Sequence, residues 1–206
     1  MEADDAELGA AVERAQQGDE EAFALAYRMV HPRLLGYVRG LVGGEAEDVT
    51  AETWLEIARD LGRFRGDGAG FRGWTATIAR HRALDHLRRQ KRRPQTSPLE
   101  QDVLELPGAL DTEASALEGL GAQAVLSAIG KLPRDQAESV LLRVIVGLDG
   151  PAAARVLGKR PGAVRSAAHR GLRKLAEIMS PGGADGMADN DSGARTLPER
   201  KVEGGR

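Results

Sequence analysis

In the stretch GWTATIARHRALDHLRRQKRRP, residues Gly73 to Pro94, His81 and Asp85 stand one helical turn apart and His86 follows directly. That spacing can hold a metal of the kind some phosphohydrolases use. A metal shell needs further ligands, and no second His/Asp cluster completes one. The other histidines, His31 and His169, fall in separate segments. The expectation is no bound metal, no cofactor and no catalytic centre. Arginine dominates the same stretch. On a helix, Arg80, Arg88 and Arg92 share a face with Arg82, Arg89 and Arg93 beside it, while Ile78, Leu84 and Leu87 supply apolar contacts. Such a stripe can track a phosphate backbone. Just upstream stand Phe64, Phe71 and Trp74, and aromatics next to a cationic groove can stack unpaired bases of melted or single-stranded DNA. Core packing is the competing role for these rings, more so for Phe71 than for Trp74.

A second cationic cluster lies in PAAARVLGKRPGAVRSAAHRGLRKL. A short Ala-rich helix, a turn at Gly158 and a longer amphipathic helix make the pattern of a helix-turn-helix. Ala153, Val156 and Leu157 are expected to pack against Val164, Ala167 and Leu172. That leaves Lys159, Arg160, Arg165, Ser166, His169, Arg170, Arg173 and Lys174 available. In such a unit the second helix reads base edges in the major groove while flanking basic residues neutralise phosphates. No acidic residue falls between Gly150 and Ala176, which argues against an ordinary solvated hairpin.

The elements that must carry these residues are helices. Aromatics make up 3% of the 206 residues and no convincing alternating β-branched run occurs, so the fold class is all-α. Helices are expected over Ala6 to Gln17, from a cap at Asp19 to about Leu41 with Pro32 as a possible bend, over Glu45 to Leu61, and over Phe71 to Arg93. Pro94 to Thr112 is proline-rich and lacks basic residues, and it reads as an extended linker. Further helices are expected over Glu113 to Gly130, from Pro133 to Val146, over Gly150 to Leu157 and over Pro161 to Ile178. Two small helical domains, 1–93 and 113–179, follow, with a linker over 94–112 and a tail over 180–206 whose Gly, Asp and Pro content favours disorder.

The net charge of -2 conceals how charge is distributed. Residues 1–62 hold five basic and fourteen acidic side chains, whereas 63–93 hold ten basic and two acidic. Residues 94–130 hold six acidic and no basic, and 131–179 return to ten basic against four acidic. Blocks of this kind suggest two polyanion-binding faces separated by an acidic spacer. The absence of cysteine excludes disulfide scaffolds, thiolate metal sites and cysteine nucleophiles. The acidic start MEADDAELGA precedes no apolar run of signal or membrane-spanning character, so a cytoplasmic location is expected.

Taken together, DEEAFALAYRMVHPRLLGYVRGLVGGEAEDVTAETWLEIARDLGRFRG, FRGWTATIARHRALDHLRRQKRRP and LPRDQAESVLLRVIVGLDGPAAARVLGKRPGAVRSAAHRGLRKL closely resemble a bacterial sigma factor of the extracytoplasmic-function (ECF) group. The resemblance implies that the first domain, like family region 2, binds the β′ clamp helices of core RNA polymerase and opens the -10 promoter element. It implies that the second, like region 4, reads the -35 element and touches the β flap. Glu47, Asp48, Glu52, Trp54 and Leu55 fall where the family binds the clamp, and an acidic helix with an apolar edge complements a basic coiled coil. The loop Gly62 to Gly70 resembles the pocket for a flipped -10 base. Arg63, Phe64, Arg65, Phe71, Trp74, Arg80, His81, Arg88 and Arg89 form the implied -10 set, and the eight residues of the second cluster form the -35 set. The chain departs from the family pattern at Ala51, at His81 and at Ala168, where glutamine, asparagine and a more polar residue are usual. An anti-sigma partner is implied, the linker can thread a channel that later holds RNA, and no membrane contact is expected. The remaining alternative is a helix-turn-helix repressor that dimerises through its N-terminal helices.

Overall fold

The computed structural model describes residues 2–92 and 113–180, and among them every regular element is helical. The expected linker, Arg93 and residues 181–206 of the expected tail lie outside the described residues. The first unit contains α1 (Glu2–Gln16), α2 (Glu20–Val42), α3 (Ala46–Asp60) and α4 (Gly68–Arg92). The second contains α5 (Glu113–Gly130), α6 (Arg134–Val140), α7 (Gly150–Leu157) and α8 (Pro161–Met179).

Asp19 starts α2 as expected: its carboxylate accepts the Ala22 N–H at 3.0 Å and the Arg14 guanidinium at 2.6 Å. The Ala22 amide and then Arg14 hold that carboxyl below its ordinary value. A lowered folded pKa stabilises the fold above the ordinary carboxylate range, and the contribution fades as pH falls through the lowered value. The helix runs on through Pro32 and buries Ala22, Ala26, Val30, Leu34, Tyr37 and Val38. Tyr27 of the same helix is 36% exposed.

The start of α4 is three residues earlier than the expected Phe71, because Asp67 caps it. Its carboxylate accepts the Gly70 N–H at 2.7 Å, and its carbonyl accepts the Phe71 N–H at 2.8 Å. Glycine is required at position 68, where a Cβ would run into the Asp5 carbonyl of α1. Arg72, inside α4, pairs with Asp5 and ties the same two helices.

The second unit departs from expectation first in its α6 region. Pro133 caps α6 instead of being its first residue, and the single helix expected to reach Val146 changes its winding at Leu141–Ile145. There the Val146 N–H bonds the Leu141 carbonyl, a five-residue step of π type. The wider turn leaves Leu141 and Leu142 fully buried and places Ile145 beside Gly36 of α2.

The helix-turn-helix forms as expected. Asp149 caps α7 by accepting the Ala152 N–H at 2.6 Å, and Gly158 ends it in the left-handed conformation at φ 63°. Ala153, Ala154, Val156 and Leu157 of α7 and Val164, Ala167, Ala168 and Leu175 of α8 are buried. Leu172 is not part of this core: it is 47% exposed, and Leu175, one turn later minus one residue, is buried. Loss of the cap in Asp149→Ala is expected to lower unfolding free energy by about 1 kcal/mol, read as a lower urea midpoint at unchanged slope.

The two units pack together through α2 and α4 on one side and α5, α7 and the π turn on the other. Leu141 sits against Gly40, Tyr37 is completely buried, and Arg80 of α4 pairs with Glu138 of α6 at 2.8 Å.

Candidate nucleic-acid interface

On α3, Glu47, Asp48 and Glu52 are exposed and Leu55 projects at 73% exposure, an apolar side chain among carboxylates. Leu55, Glu52, Glu56, Arg59, Arg82 and Arg89 line an open groove between α3 and α4. Trp54 does not join this surface. It is 7% exposed, its ring 4.6 Å from Tyr27 and 6.2 Å from Phe23, so its apolar area is spent inside the fold. His31 stacks on Tyr27 at 4.6 Å, and burial pushes its pKa down.

The loop leading into α4 is tightly built. Arg65 donates to the carbonyls of Gly62 at 2.8 Å and Phe64 at 2.6 Å, which closes the loop on itself. From α1, the Gln16 amide donates to the Leu61 carbonyl at 2.8 Å and the Phe64 carbonyl at 2.9 Å. Phe64, Phe71 and Trp74 form a triangle of rings with centroids 5.2 to 5.7 Å apart. Phe71 is 1% exposed and Phe64 is 7% exposed, so both support the loop from below. Trp74 is half-buried and lines a cleft of about 480 Å³ with Arg63, Phe64, Arg65, Gly70 and Thr77.

Along α4, His81, Arg88 and Arg89 are exposed, and Arg88 pairs with Asp85 at 2.9 Å. Arg82 binds Glu56 of α3 at 2.5 Å. His86 and Gln90 both reach Glu45, at 3.0 and 3.2 Å. Arg80 does not continue the free stripe expected from its spacing, because Glu138 takes its guanidinium and leaves it half-buried. Neither Gln16 nor Asp67 was singled out by sequence. Asp67 had a usable signal, a capping residue ahead of a helix start, whereas the bond from Gln16 spans 45 residues and carries no local signature.

All eight members of the second cluster are exposed: Lys159, Arg160, Arg165, Ser166, His169, Arg170, Arg173 and Lys174. Lys159 pairs with Asp135 at 2.6 Å and thereby holds the turn to α6, while Lys174 meets Glu177 at 3.1 Å. The Lys159 ammonium lowers the Asp135 pKa. Ala168 faces the core at 7% exposure, so the departure noted there falls on the inner side of α8. Pro161 opens α8, and Arg165, Ser166 and His169 follow on its solvent side.

An all-α chain with a loop-and-arginine face on one unit and a helix-turn-helix on the other has the architecture of a two-domain promoter-recognition factor. The family described as Sigma-70 region 2 matches residues 26–93, and Sigma-70, region 4 matches residues 122–175. The ECF RNA polymerase sigma factor BldN of Streptomyces coelicolor is 36% identical over 181 residues, covering 86% of this chain and 68% of its own. The ECF RNA polymerase sigma factor ShbA of Streptomyces griseus is 34% identical over 177 residues, covering 82% and 93% respectively. The sigma factor RpoE from Bartonella quintana, solved in complex with the anti-sigma factor NepR, shares the fold at a TM-score of 0.58 and 21% identity, over 78% of this chain and 98% of that one. The chain belongs to the ECF group of the sigma-70 family of RNA polymerase sigma factors. Its function is that of a sigma factor, which directs core RNA polymerase to promoters and assists their opening; the repressor alternative is not favoured. Among the described residues, no helix is long and apolar enough to cross a membrane.

Proposed function

We propose a division of labour among three surfaces. Glu47, Asp48, Glu52 and Leu55 on α3 engage the clamp helices of the polymerase β′ subunit, with Trp54 fixing the helix from inside. The Gly62 to Gly70 loop and Trp74 receive an unpaired -10 base, while Arg63, Arg65, Arg80, His81, Arg88 and Arg89 hold the backbone. Arg165, Ser166 and His169 face the -35 base edges, Lys159, Arg160, Arg170, Arg173 and Lys174 take phosphates, and the same unit meets the β flap. The chain acts in the cytoplasm, has no catalytic chemistry of its own and is restrained by an anti-sigma partner.

The observation that supports this most is the exposure of all eight -35 candidates around a helix-turn-helix. Flipping a base costs a few kcal/mol, which ring stacking and backbone arginines must offset. Run-off transcription with core polymerase on a genomic promoter library is expected to give discrete start sites that depend on the added chain. Start sites that do not change on its addition overturn the reading.

A further inference from the structure

The loop that leads into α4 is held at both ends by α1, a helix that lies ahead of the Sigma-70 region 2 match beginning at residue 26. At the near end, Gln16, the last residue of α1, turns its side-chain amide to the loop, and Nε2 donates to the carbonyls of Leu61 at 2.8 Å and Phe64 at 2.9 Å. These two carbonyls bracket the short 3-10 turn Leu61–Arg63. At the far end, the Asp5 carbonyl closes on Gly68 so tightly that no Cβ fits there, a Cβ at Gly9 would lie 3.3 Å from the Gly68 nitrogen, and the Asp5 carboxylate pairs with buried Arg72.

The Phe64 carbonyl has two donors, Gln16 and Arg65, the second at 2.6 Å. They differ in permanence. Arg65 is exposed and is one of the side chains proposed to hold the DNA backbone, and a guanidinium drawn onto a phosphate gives up neutral carbonyls, because the charge-assisted bond is the stronger one. Gln16 is half-buried, uncharged and rooted in α1, so it stays. With Gln16 in place the carbonyl is still satisfied, and the loop keeps its shape when DNA takes its arginine. The same residue carries the Phe64 ring, whose centroid lies 5.2 Å from that of Trp74, and the loop folds over that ring at Gly66, where a Cβ would lie 3.0 Å from Phe64 Cζ. A shift of the Phe64 carbonyl therefore moves the surface beside which Trp74 lines the cleft.

We infer that Gln16 is a positioning residue for promoter selectivity: its amide fixes the carbonyls of Leu61 and Phe64 so that the cleft beside Trp74 keeps one shape, and the base preference of that cleft depends on it. The inference rests on the reading of the loop and cleft as the -10 base site. Gln16 itself touches no base, and its effect passes through the two carbonyls it holds. A preformed cleft discriminates because a wrong base must distort it, whereas a slack one adapts to any base and loses the difference.

The test uses the full chain with core polymerase and one promoter recovered from the run-off library, made in sets of four that change a single base at each position of the melted stretch in turn. Gln16→Met keeps the length of the side chain and removes its donors, and Gln16→Glu keeps its shape and turns oxygens toward the carbonyls. In both, the ratio of opening rates between the best and the worst base is expected to fall by about fivefold to tenfold, the size of one or two hydrogen bonds, with docking on -35 duplex unchanged. Hydrogen exchange of the peptide spanning 62–70 is expected to quicken by about tenfold in the same variants, with that of α8 unchanged. Val12→Ala, which thins the core beneath the same helix, is the control: it should lower the melting midpoint and leave both readouts in place. Unchanged base ratios in the Gln16 variants overturn the inference, and so does an equal loss in Val12→Ala, which would make α1 a source of stability only. Absence of any base preference in the unsubstituted chain shows instead that the underlying -10 reading fails, and the inference with it.

Discussion

Trp74→Ala is expected to slow promoter opening by about tenfold to a hundredfold, the range that ~1–3 kcal/mol of lost base stacking corresponds to. Binding of the closed complex should change far less. The asymmetry follows from where the ring sits: Trp74 is the half-buried member of the aromatic triangle and the one that lines the cleft, while Phe71 beneath it is 1% exposed. An interaction that forms only once a base is unpaired stabilises the opened state and leaves the duplex encounter alone. Because Phe64 and Phe71 remain in contact at 5.3 Å, the loop keeps its support in the variant. Permanganate footprinting of melted thymines, timed after mixing with core polymerase, measures the opening rate. A Trp74→Phe variant should recover most of it. Equal losses in closed-complex affinity and opening rate would overturn this role.

Arg165→Ala is expected to behave in the opposite way, weakening docking on duplex -35 DNA by about 1–3 kcal/mol with the subsequent opening rate nearly unchanged. Arg165 lies one turn into α8, exposed, beside Ser166 and close to His169. The helix needs nothing from its side chain, since the core of this unit is made by Val164, Ala167, Ala168 and Leu175. The fold should therefore persist, and a circular dichroism melt should overlay that of the unsubstituted chain. Arg165→Lys separates base reading from phosphate neutralisation: lysine keeps the charge but loses the planar fork. If lysine restores full sequence preference, Arg165 contacts only backbone.

The arrangement of elements was legible in the sequence because each helix carries local marks. Asp19, Asp149 and Gly158 each act at the helix end where their residue type predicts. The charge blocks were legible for the same reason, being properties of contiguous segments. What escaped depended on partners far along the chain. The spacing of Arg80 with Arg88 and Arg92 is correct for a free stripe, yet Glu138, 58 residues away, claims the guanidinium. Gly36 and Gly40 sit inside a helix, where glycine is costly, and only the docking of Leu141 and Ile145 explains them. The π turn escaped because its signal is one residue of phase in an apolar run, which helical periodicity tolerates. The same loss of phase sensitivity at the far end of α8 accounts for choosing Leu172 over Leu175. Trp54 was placed on the polymerase side by the resemblance to the family, and packing against Tyr27 and Phe23 turns its ring inward.

The Arg82–Glu56 ion pair between α3 and α4 has a mechanical meaning. It fastens the helix that would carry the load from the enzyme to the helix that would carry the load from the nucleic acid. With α3 and α4 tied in this way, the first unit would move as one bracket, and alignment on the large machine would set the angle at which the strands are pried apart.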